Sequence, residues 1–250
     1  MGALCDPVVL EADMTRVVTR AIASFKAWHK EEGRGEDEKE LRLTLLAMWP
    51  DASTQPKVSA HVSLLPSLPS PPINCEFRGC PRTNALAKSS SWVSSRAPLE
   101  ALMKAGPNVN EFLMVGGKGE ILEGSQTNFY AVKGGVVQTA GEGVLEGTVR
   151  RLLLEVCERE GVEVELRPPD VSEVEEWEGC MISSTSRLLL PVDNLYSPKE
   201  GEVSTAEHKV RSFKNDDNAL AVKLARMVLE EVQSHSTPVD VEAYLSKPPL

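Results

Sequence analysis

Three short stretches carry side chains whose types and order could support covalent chemistry on an aldehyde that bears a phosphate. Lys88 lies in Ala-Lys-Ser-Ser-Ser-Trp, Glu123 begins Glu-Gly-Ser-Gln-Thr-Asn-Phe, and Gly147 lies in Leu-Glu-Gly-Thr-Val-Arg. An amine can form a Schiff base with an aldehyde, and a carboxylate can keep a pyridine nitrogen protonated so that the ring withdraws electrons. The N–H groups at a helix start can bind a phosphate. The three stretches therefore supply the groups needed to hold such a molecule.

The order and spacing of these stretches resemble those of a known family. Glu123 follows Lys88 by 35 positions, and a later stretch reads Met-Ile-Ser-Ser-Thr-Ser-Arg-Leu-Leu-Leu-Pro-Val from Met181 to Val192. From about residue 85 to 195, the chain resembles the fold-type IV (class IV) enzymes that use pyridoxal 5'-phosphate (PLP). These enzymes include branched-chain aminotransferase, D-amino-acid aminotransferase and aminodeoxychorismate lyase. The resemblance is weaker over residues 10 to 65.

The resemblance implies a role for each residue of the motifs. Lys88 is expected to form the Schiff base and then to act as general acid and base, and Glu123 is expected to contact the pyridine nitrogen. The other cofactor-binding residues that it implies are Asn128, which supports the turn under the ring, and the phosphate anchors Gly147, Thr148, Val149, Ser184 and Thr185. Because the attacking amine must be neutral, we expect a desolvated pocket around Lys88, with Trp92 as part of its wall.

Two departures from the family pattern affect the predicted phosphate site. Family members carry a His-x-x-Arg-Leu run near their N-terminus whose arginine binds the phosphate, and no such run occurs in this sequence. The N-terminal domain is therefore predicted to be incomplete, with Arg82 as a candidate for the compensating cation. Glu146 stands where the family has proline, and Arg150 is expected to face solvent or a carboxylate.

The function that the resemblance implies is PLP-dependent transamination between an amino acid and a 2-oxo acid. A homodimer is the expected assembly, because family members build each active site from two subunits. Two alternatives remain open on the sequence alone. One is a PLP lyase of the aminodeoxychorismate type, and the other is a non-catalytic relative that acts as a binding or regulatory protein.

Composition argues against several other classes of protein. The net charge of −10 disfavours nucleic acid and anionic membranes as partners. The sequence contains no run of about 18 apolar residues, so no transmembrane helix is predicted. The five cysteines are odd in number and scattered, which favours a reducing compartment, and their spacing predicts no metal site. No secretory signal is evident at the N-terminus. A cytoplasmic location is predicted, with an organelle left open.

The resemblance implies a two-domain fold of the class IV aminotransferase type, α/β combined with α+β, and the patterning of the chain agrees with two domains. A partial α+β N-terminal domain is predicted for residues 1–70, a linker for 71–84, an α/β PLP-binding domain for 85–236 and a loose tail for 237–250. The boundary follows a segment with four prolines between Pro66 and Pro72. Lys88 and Glu123 are expected to face one cleft between the two domains.

Hydrophobic periodicity predicts the main elements of both domains. Helices are predicted at residues 8–31, 92–104, 148–160 and 215–233, with a shorter one at 171–177. Strands are predicted at residues 41–49, 57–65, 111–115, 128–132, 162–166, 180–183 and 188–192. Strands 111–115 and 128–132 are expected to form a hairpin through Gly116–Gly119, which leaves Glu123 in a turn that leads into a strand.

Overall fold

The computed structural model describes residues 6–32, 40–49, 55–105, 108–198 and 206–237, together with residue 245. The chain divides into two compact units, and the larger one spans Leu68–Ser236. Most of the predicted tail, 237–250, lies outside the described residues, as does most of the charged segment after the first helix. The mixed α/β and α+β fold class is confirmed.

In the smaller unit, the described residues 6–32, 40–49 and 55–65 form a helix and a hairpin. Helix α1 (Pro7–Glu31) begins at Asp6, whose carboxylate accepts a hydrogen bond from the Val8 N–H at 2.9 Å. Strands β1 (Leu41–Met48) and β2 (Lys57–Leu64) pair antiparallel along their full length. Helix α1 packs on β2, where Val62 is buried. Strand β1 is mostly exposed despite its apolar sequence.

The larger unit is built around one mixed sheet. Its elements in chain order are β3 (Asn74–Phe77), α2 (Ser91–Ala105), β4 (Glu111–Val115), β5 (Ile121–Gly124), β6 (Asn128–Lys133), β7 (Val136–Gln138), α3 (Thr148–Glu160), β8 (Val164–Glu165), a short 3-10 helix (Val171–Glu176), β9 (Gly179–Ser184), β10 (Leu188–Pro191), β11 (Asn194–Tyr196), β12 (Lys209–Ser212) and α4 (Leu220–His235). The strand order is β10-β9-β6-β5-β4-β3-β11-β12, and β7 joins β6 to β8. Strand β3 runs parallel to β4 and β11.

The central strand β6 is buried on both faces of the sheet. Tyr130 and Val132 belong to an apolar cluster with buried side chains of α3 and α4, such as Leu153 and Leu224. Phe129 belongs to a second cluster that includes Trp177 of the opposite layer. Because successive side chains of a strand point to opposite faces, β6 has to be apolar along most of its length.

Helix α3 forms where the sequence predicts it, over Thr148–Glu160. Its apolar side chains recur at steps of three and four residues, so one face packs on the sheet. Gly161 ends the helix with a φ of 68°, a left-handed conformation that glycine adopts without a steric penalty. The position of the helix start is therefore fixed by packing along the whole helix.

Two expectations differ from the structure. The turn at Gly116–Gly119 joins β4 to β5, and β5 then pairs with β6, so residues 111–115 and 128–132 are not hairpin neighbours. Glu123 thus lies in a strand and not in a turn. The segment 71–84, predicted as a linker, contains the buried strand β3, because long-range pairing with β4 and β11 stabilises a run that has no local strand pattern.

Among the described residues, every helix is too short or too polar to span a bilayer.

Candidate functional site

Three neighbouring strands bring polar side chains into one row on the face of the sheet that α3 covers. Glu123 of β5 pairs directly with Asn128 of β6, and Asn128 pairs with Ser183 of β9. Directly paired residues of an antiparallel sheet point to the same face, and neighbouring strands lie about 4.8 Å apart. Glu123, Asn128 and Ser183 are all buried. This row is the floor of the candidate site.

Glu123 forms a buried ion pair with Arg82. The Arg82 Nε lies 2.5 Å from Glu123 Oε1, and Nη2 lies 2.9 Å from Oε2. Both side chains are below a tenth exposed. The Leu145 N–H, just before α3, lies 3.4 Å from the same Oε2. A carboxylate offers about four acceptor positions, so this arrangement leaves capacity for a further N–H donor.

The same arginine holds the backbone that leads to Lys88. Its Nη2 donates to the Ala85 carbonyl at 3.1 Å, and its Nη1 lies 3.4 Å from the Ala87 carbonyl oxygen. The guanidinium carbon lies 5.5 Å from the centre of the Trp92 ring. The Trp92 indole N–H donates to the Ser125 carbonyl at 2.8 Å. The loop before Lys88 is thus connected to Glu123 of β5, and the helix after Lys88 is connected to Ser125, directly after β5.

Lys88 itself is exposed. It lies between the loop of residues 83–87 and the start of α2. The expected desolvated pocket around its amine is absent from the described residues. Trp92 contacts Arg82 and the Ser125 carbonyl, which places its indole on the Glu123 side of the loop. The role predicted for Lys88 stays a prediction.

The start of α3 lies directly beside the row of polar side chains. The Asn128 amide donates to the Leu145 carbonyl at 2.7 Å. A Cβ on Gly147 would lie 2.4 Å from Asn128 Oδ1, so only glycine allows this close approach. Gly147 precedes the helix in an extended conformation, and no side chain caps the first turn. The Thr148 side chain is exposed, whereas Val149 is buried in the core.

The end of strand β9 lies beside Asn128, which pairs with Ser183. Ser183 shares a hydrogen bond with Tyr130, with 2.7 Å between the hydroxyl oxygens, and burial raises the pKa of the Tyr130 phenol. Ser184 is half-buried and Thr185 is exposed. Asn128 therefore contacts the turn before α3 and also pairs with Ser183, the residue before the predicted anchors Ser184 and Thr185.

Glu111 is a site-forming residue that sequence reasoning missed. It is fully buried, and its Oε1 accepts from the Phe112 N–H at 3.0 Å, the Ser125 N–H at 3.1 Å and the Ser125 hydroxyl at 2.5 Å. Its Oε2 accepts from Arg187 Nη1 at 3.0 Å. These bonds fix the turn between β5 and β6 and connect it to the turn after Thr185. A charged residue directly before Phe-Leu-Met-Val was the available signal.

Two arginines lie elsewhere than the sequence suggested. Arg82, the candidate for a phosphate cation, pairs with Glu123. Arg150, expected to face solvent or a carboxylate, is 8% exposed and donates from Nη2 to the Ala140 carbonyl at 2.9 Å. It belongs to the first turn of α3, and burial of its long side chain against the sheet explains the difference.

Comparison with known proteins gives one family match over most of the chain. The model of the family described as Amino-transferase class IV matches residues 11–195. A protein of Methanocaldococcus jannaschii named "Putative branched-chain-amino-acid aminotransferase" is 26% identical over 111 residues. Those residues make up 44% of this chain and 38% of that protein, so the match spans less than half of the relative's length.

Solved structures share the fold at low sequence identity. The branched-chain aminotransferase from Thermoproteus uzoniensis with norvaline has a TM-score of 0.61 and 17% identity, and the match covers 88% of this chain and 72% of that one. A hypothetical aminotransferase from Mycobacterium tuberculosis in its PLP-bound form has a TM-score of 0.60 and 19% identity, over 87% of this chain and 75% of that one.

Proposed function

This chain belongs to the class IV aminotransferase family, and we propose that it is a PLP-dependent enzyme that moves an amino group between an amino acid and a 2-oxo acid. The observation that carries the proposal is the row of Glu123, Asn128 and Ser183 beside the uncapped start of α3. The row contains a buried carboxylate, and the start of α3 beside it has N–H groups that no side chain caps and that could donate hydrogen bonds to a phosphate. That combination suits a ring with a basic nitrogen at one end and a phosphate at the other.

The residues present fit PLP in their donor chemistry. Glu123 is buried, is held by Arg82 and retains acceptor capacity, as a partner of a protonated ring nitrogen requires. The first turn of α3 has no side-chain cap, so its N–H groups are available to an anion. Gly147 allows the helix start to approach Asn128. Bound PLP would supply an electron sink that the amino acids of the chain lack.

Each residue then has a defined task. The Lys88 amine would hold the cofactor covalently and carry the proton to and from the substrate Cα. Glu123 would keep the ring nitrogen protonated. The N–H groups of Thr148 and Val149 would bind the phosphate together with hydroxyls, whereas the Gly147 N–H already donates to the Leu145 carbonyl at 2.8 Å. Those hydroxyls would come from Thr148, Ser184 and Thr185, while Asn128 holds the turn before α3 in place.

The test of this function is covalent loading at one lysine. The purified full chain is mixed with PLP, reduced with borohydride and digested, and the labelled peptide is identified by mass spectrometry. We expect one label per chain, at Lys88, and no label or visible absorbance in Lys88→Ala. Lys118→Ala, which removes an exposed lysine from the turn between β4 and β5, is the matched control and should load normally. Labels spread over several lysines would contradict the proposal.

Turnover identifies the reaction class. The relatives named as branched-chain aminotransferases make branched-chain 2-oxo acids the first amino acceptors to assay. Transamination predicts that the amino group lost from a donor appears on the added 2-oxo acid. Release of pyruvate from aminodeoxychorismate without an acceptor would instead indicate the lyase. A chain that loads PLP at Lys88 and turns over neither substrate would indicate a non-catalytic relative.

We further propose that the chain forms a homodimer. One face of strand β1 carries exposed apolar side chains, with Leu46 at 52% and Met48 at 48% exposure. Apolar surface in water costs roughly 25 cal/mol per Å², so burial of this face against a second copy would be favourable. Light scattering after size exclusion should give a dimer mass. Leu46→Glu should shift the mass toward the monomer, and a well-behaved wild-type monomer with turnover would contradict the proposal.

A cytoplasmic location completes the proposal. The described cysteines Cys75, Cys80, Cys157 and Cys180 are all free thiols, which suits a reducing compartment. Cell fractionation with an antibody against the native chain would test this location. Recovery in the cytosolic fraction is expected, and recovery in an organelle would replace the assignment.

A further inference from the structure

We propose that Arg82 is the positioning residue that sets the place of Lys88 relative to Glu123. The inference rests on the proposed function, because it concerns the two residues expected to hold the ends of the reactive ring system. One guanidinium contacts the Glu123 carboxylate and the backbone on the approach to Lys88. It also lies over Trp92, four positions after Lys88. Arg82 thereby contacts the chain both before Lys88, at Ala85, and after it, at Trp92.

The loop that carries Lys88 has few other anchors. Thr83, Asn84 and Leu86 are exposed, and Ala85 is the buried residue of this stretch. Ala85 and Ala87 offer their carbonyl oxygens to Arg82. A loop held by polar contacts to one buried side chain depends on that side chain for its conformation. Removal of the guanidinium should therefore release residues 83–88 while the sheet stays folded.

The chemistry of the contact requires arginine. The planar guanidinium carries five N–H donors in a fixed fork, so it can pair with both carboxylate oxygens and still reach two carbonyls. A lysine ammonium is a single compact charge and can satisfy only part of this set. The pair also supplies the positive charge that a carboxylate as buried as Glu123 needs. One residue thus contacts both Glu123 and the backbone that leads to Lys88.

The first experiment tests the positioning role in the PLP-free chain. Hydrogen–deuterium exchange is compared between the wild type, Arg82→Met and Arg82→Lys. Arg96→Met is the matched control, since it removes an arginine that pairs with Glu100 on α2, away from Glu123. We expect at least tenfold faster exchange of amides 83–89 in Arg82→Met, an intermediate rate in Arg82→Lys and wild-type rates in Arg96→Met. Unchanged exchange in Arg82→Met would overturn the proposal.

The second experiment uses the loaded protein. A misplacement of about 1 Å can cost about 100-fold in rate, so Arg82→Met should lose borohydride-trapped PLP at Lys88 and about that factor in kcat. The pH profile of the bound cofactor's absorbance should shift in Arg82→Met and stay unchanged in Arg96→Met. If Arg82 acts through Glu123, the Arg82→Met, Glu123→Gln double variant should lose little more than the worse single variant.

The outcomes separate the inference from the function on which it rests. Loading, pH profile and kcat at wild-type values in a folded Arg82→Met chain would overturn the positioning role and leave the proposed function intact. A wild-type chain that takes up no PLP at Lys88 would overturn both. Arg82→Lys guards against simple unfolding, because it keeps the positive charge beside Glu123 and should restore part of the loading.

Discussion

Two buried glutamates lie on either side of the turn between β5 and β6, and each pairs with an arginine from a distant part of the chain. Glu111 accepts four hydrogen bonds and is fully enclosed. Glu123 accepts two from Arg82 and a long one from the backbone, which leaves acceptor capacity. The same chemical group therefore has two different roles at the two positions. A carboxylate with all acceptor positions filled holds a fold, whereas one with a position open can hold a ligand.

The arginine partners show the same division. Arg187 donates to Glu111 and to the carbonyl of Asn110, the residue before Glu111 in the chain. This contact therefore holds only the start of β4. Arg82 connects Glu123 to the loop before Lys88, a residue with a chemical task. Both pairs join a buried glutamate to an arginine, and they differ in the backbone that the arginine also contacts. Substitutions at the two pairs should accordingly separate stability from chemistry.

The largest effect on stability is expected at Glu111. Glu111→Ala leaves the Ser125 donors without an acceptor and Arg187 without its carboxylate, and removal of one partner of a buried pair costs about 3–5 kcal/mol. The free energy of unfolding in urea measures this loss. Glu111→Gln, which keeps the shape and one acceptor oxygen, should lose less. A loss in Glu111→Ala no larger than in Glu111→Gln would show that the pair does not hold the turn.

Glu123→Gln is expected to lower turnover more than it lowers stability. The amide cannot keep a ring nitrogen protonated, and loss of one charge-stabilising group costs about 100-fold or more in kcat. PLP loading at Lys88 should persist, because the phosphate anchors and the lysine are unchanged. Stopped assays of transamination and borohydride labelling give the two readouts. Full turnover in Glu123→Gln would remove this glutamate from the ring-nitrogen role and erase the contrast with Glu111.

Local sequence patterns predicted one half of this site and missed the other. Helix α3, with Gly147 before it and Gly161 after it, follows from periodicity and from glycine placement within one stretch of chain. The partners of Glu111 and Glu123 are 76 and 41 positions away, so no window of sequence contains both. Strand β3 was missed for the same reason, since its buried Asn74 bonds to residues 108, 110 and 194.

A smaller effect is expected at the phosphate anchors. A hydrogen bond to a charged group contributes about 1.5–3 kcal/mol, so Thr185→Val should weaken PLP binding by about 10- to 100-fold at nearly constant side-chain shape. Because Thr185 is exposed, the free energy of unfolding should stay unchanged. Fluorescence titration with PLP measures the affinity, and Thr148→Val is the parallel variant on α3. Wild-type affinity in both would place the phosphate elsewhere.

The smallest effect is a difference in thiol reactivity between the two sides of the turn. Cys75 pairs in register with Glu111, and burial together with the Glu111 charge raises the pKa of its thiol. Burial also raises the pKa of Cys180, and that of Cys157 to about 11. Cys80 is exposed, two positions before Arg82. The thiolate is the reactive form.

Among these four cysteines, a disulfide reagent at pH 8 should therefore label Cys80 first, with Cys75, Cys157 and Cys180 protected until the chain unfolds. Glu111→Ala removes a negative charge beside Cys75 and loosens the turn, so both effects should speed labelling of Cys75. Arg82→Met should leave Cys75 protected, because Arg82 pairs with Glu123 and not with Glu111. Peptide mass mapping of the labelled thiols reads the result. Equal labelling of Cys75 in both variants would mean that the two glutamates share one structural role.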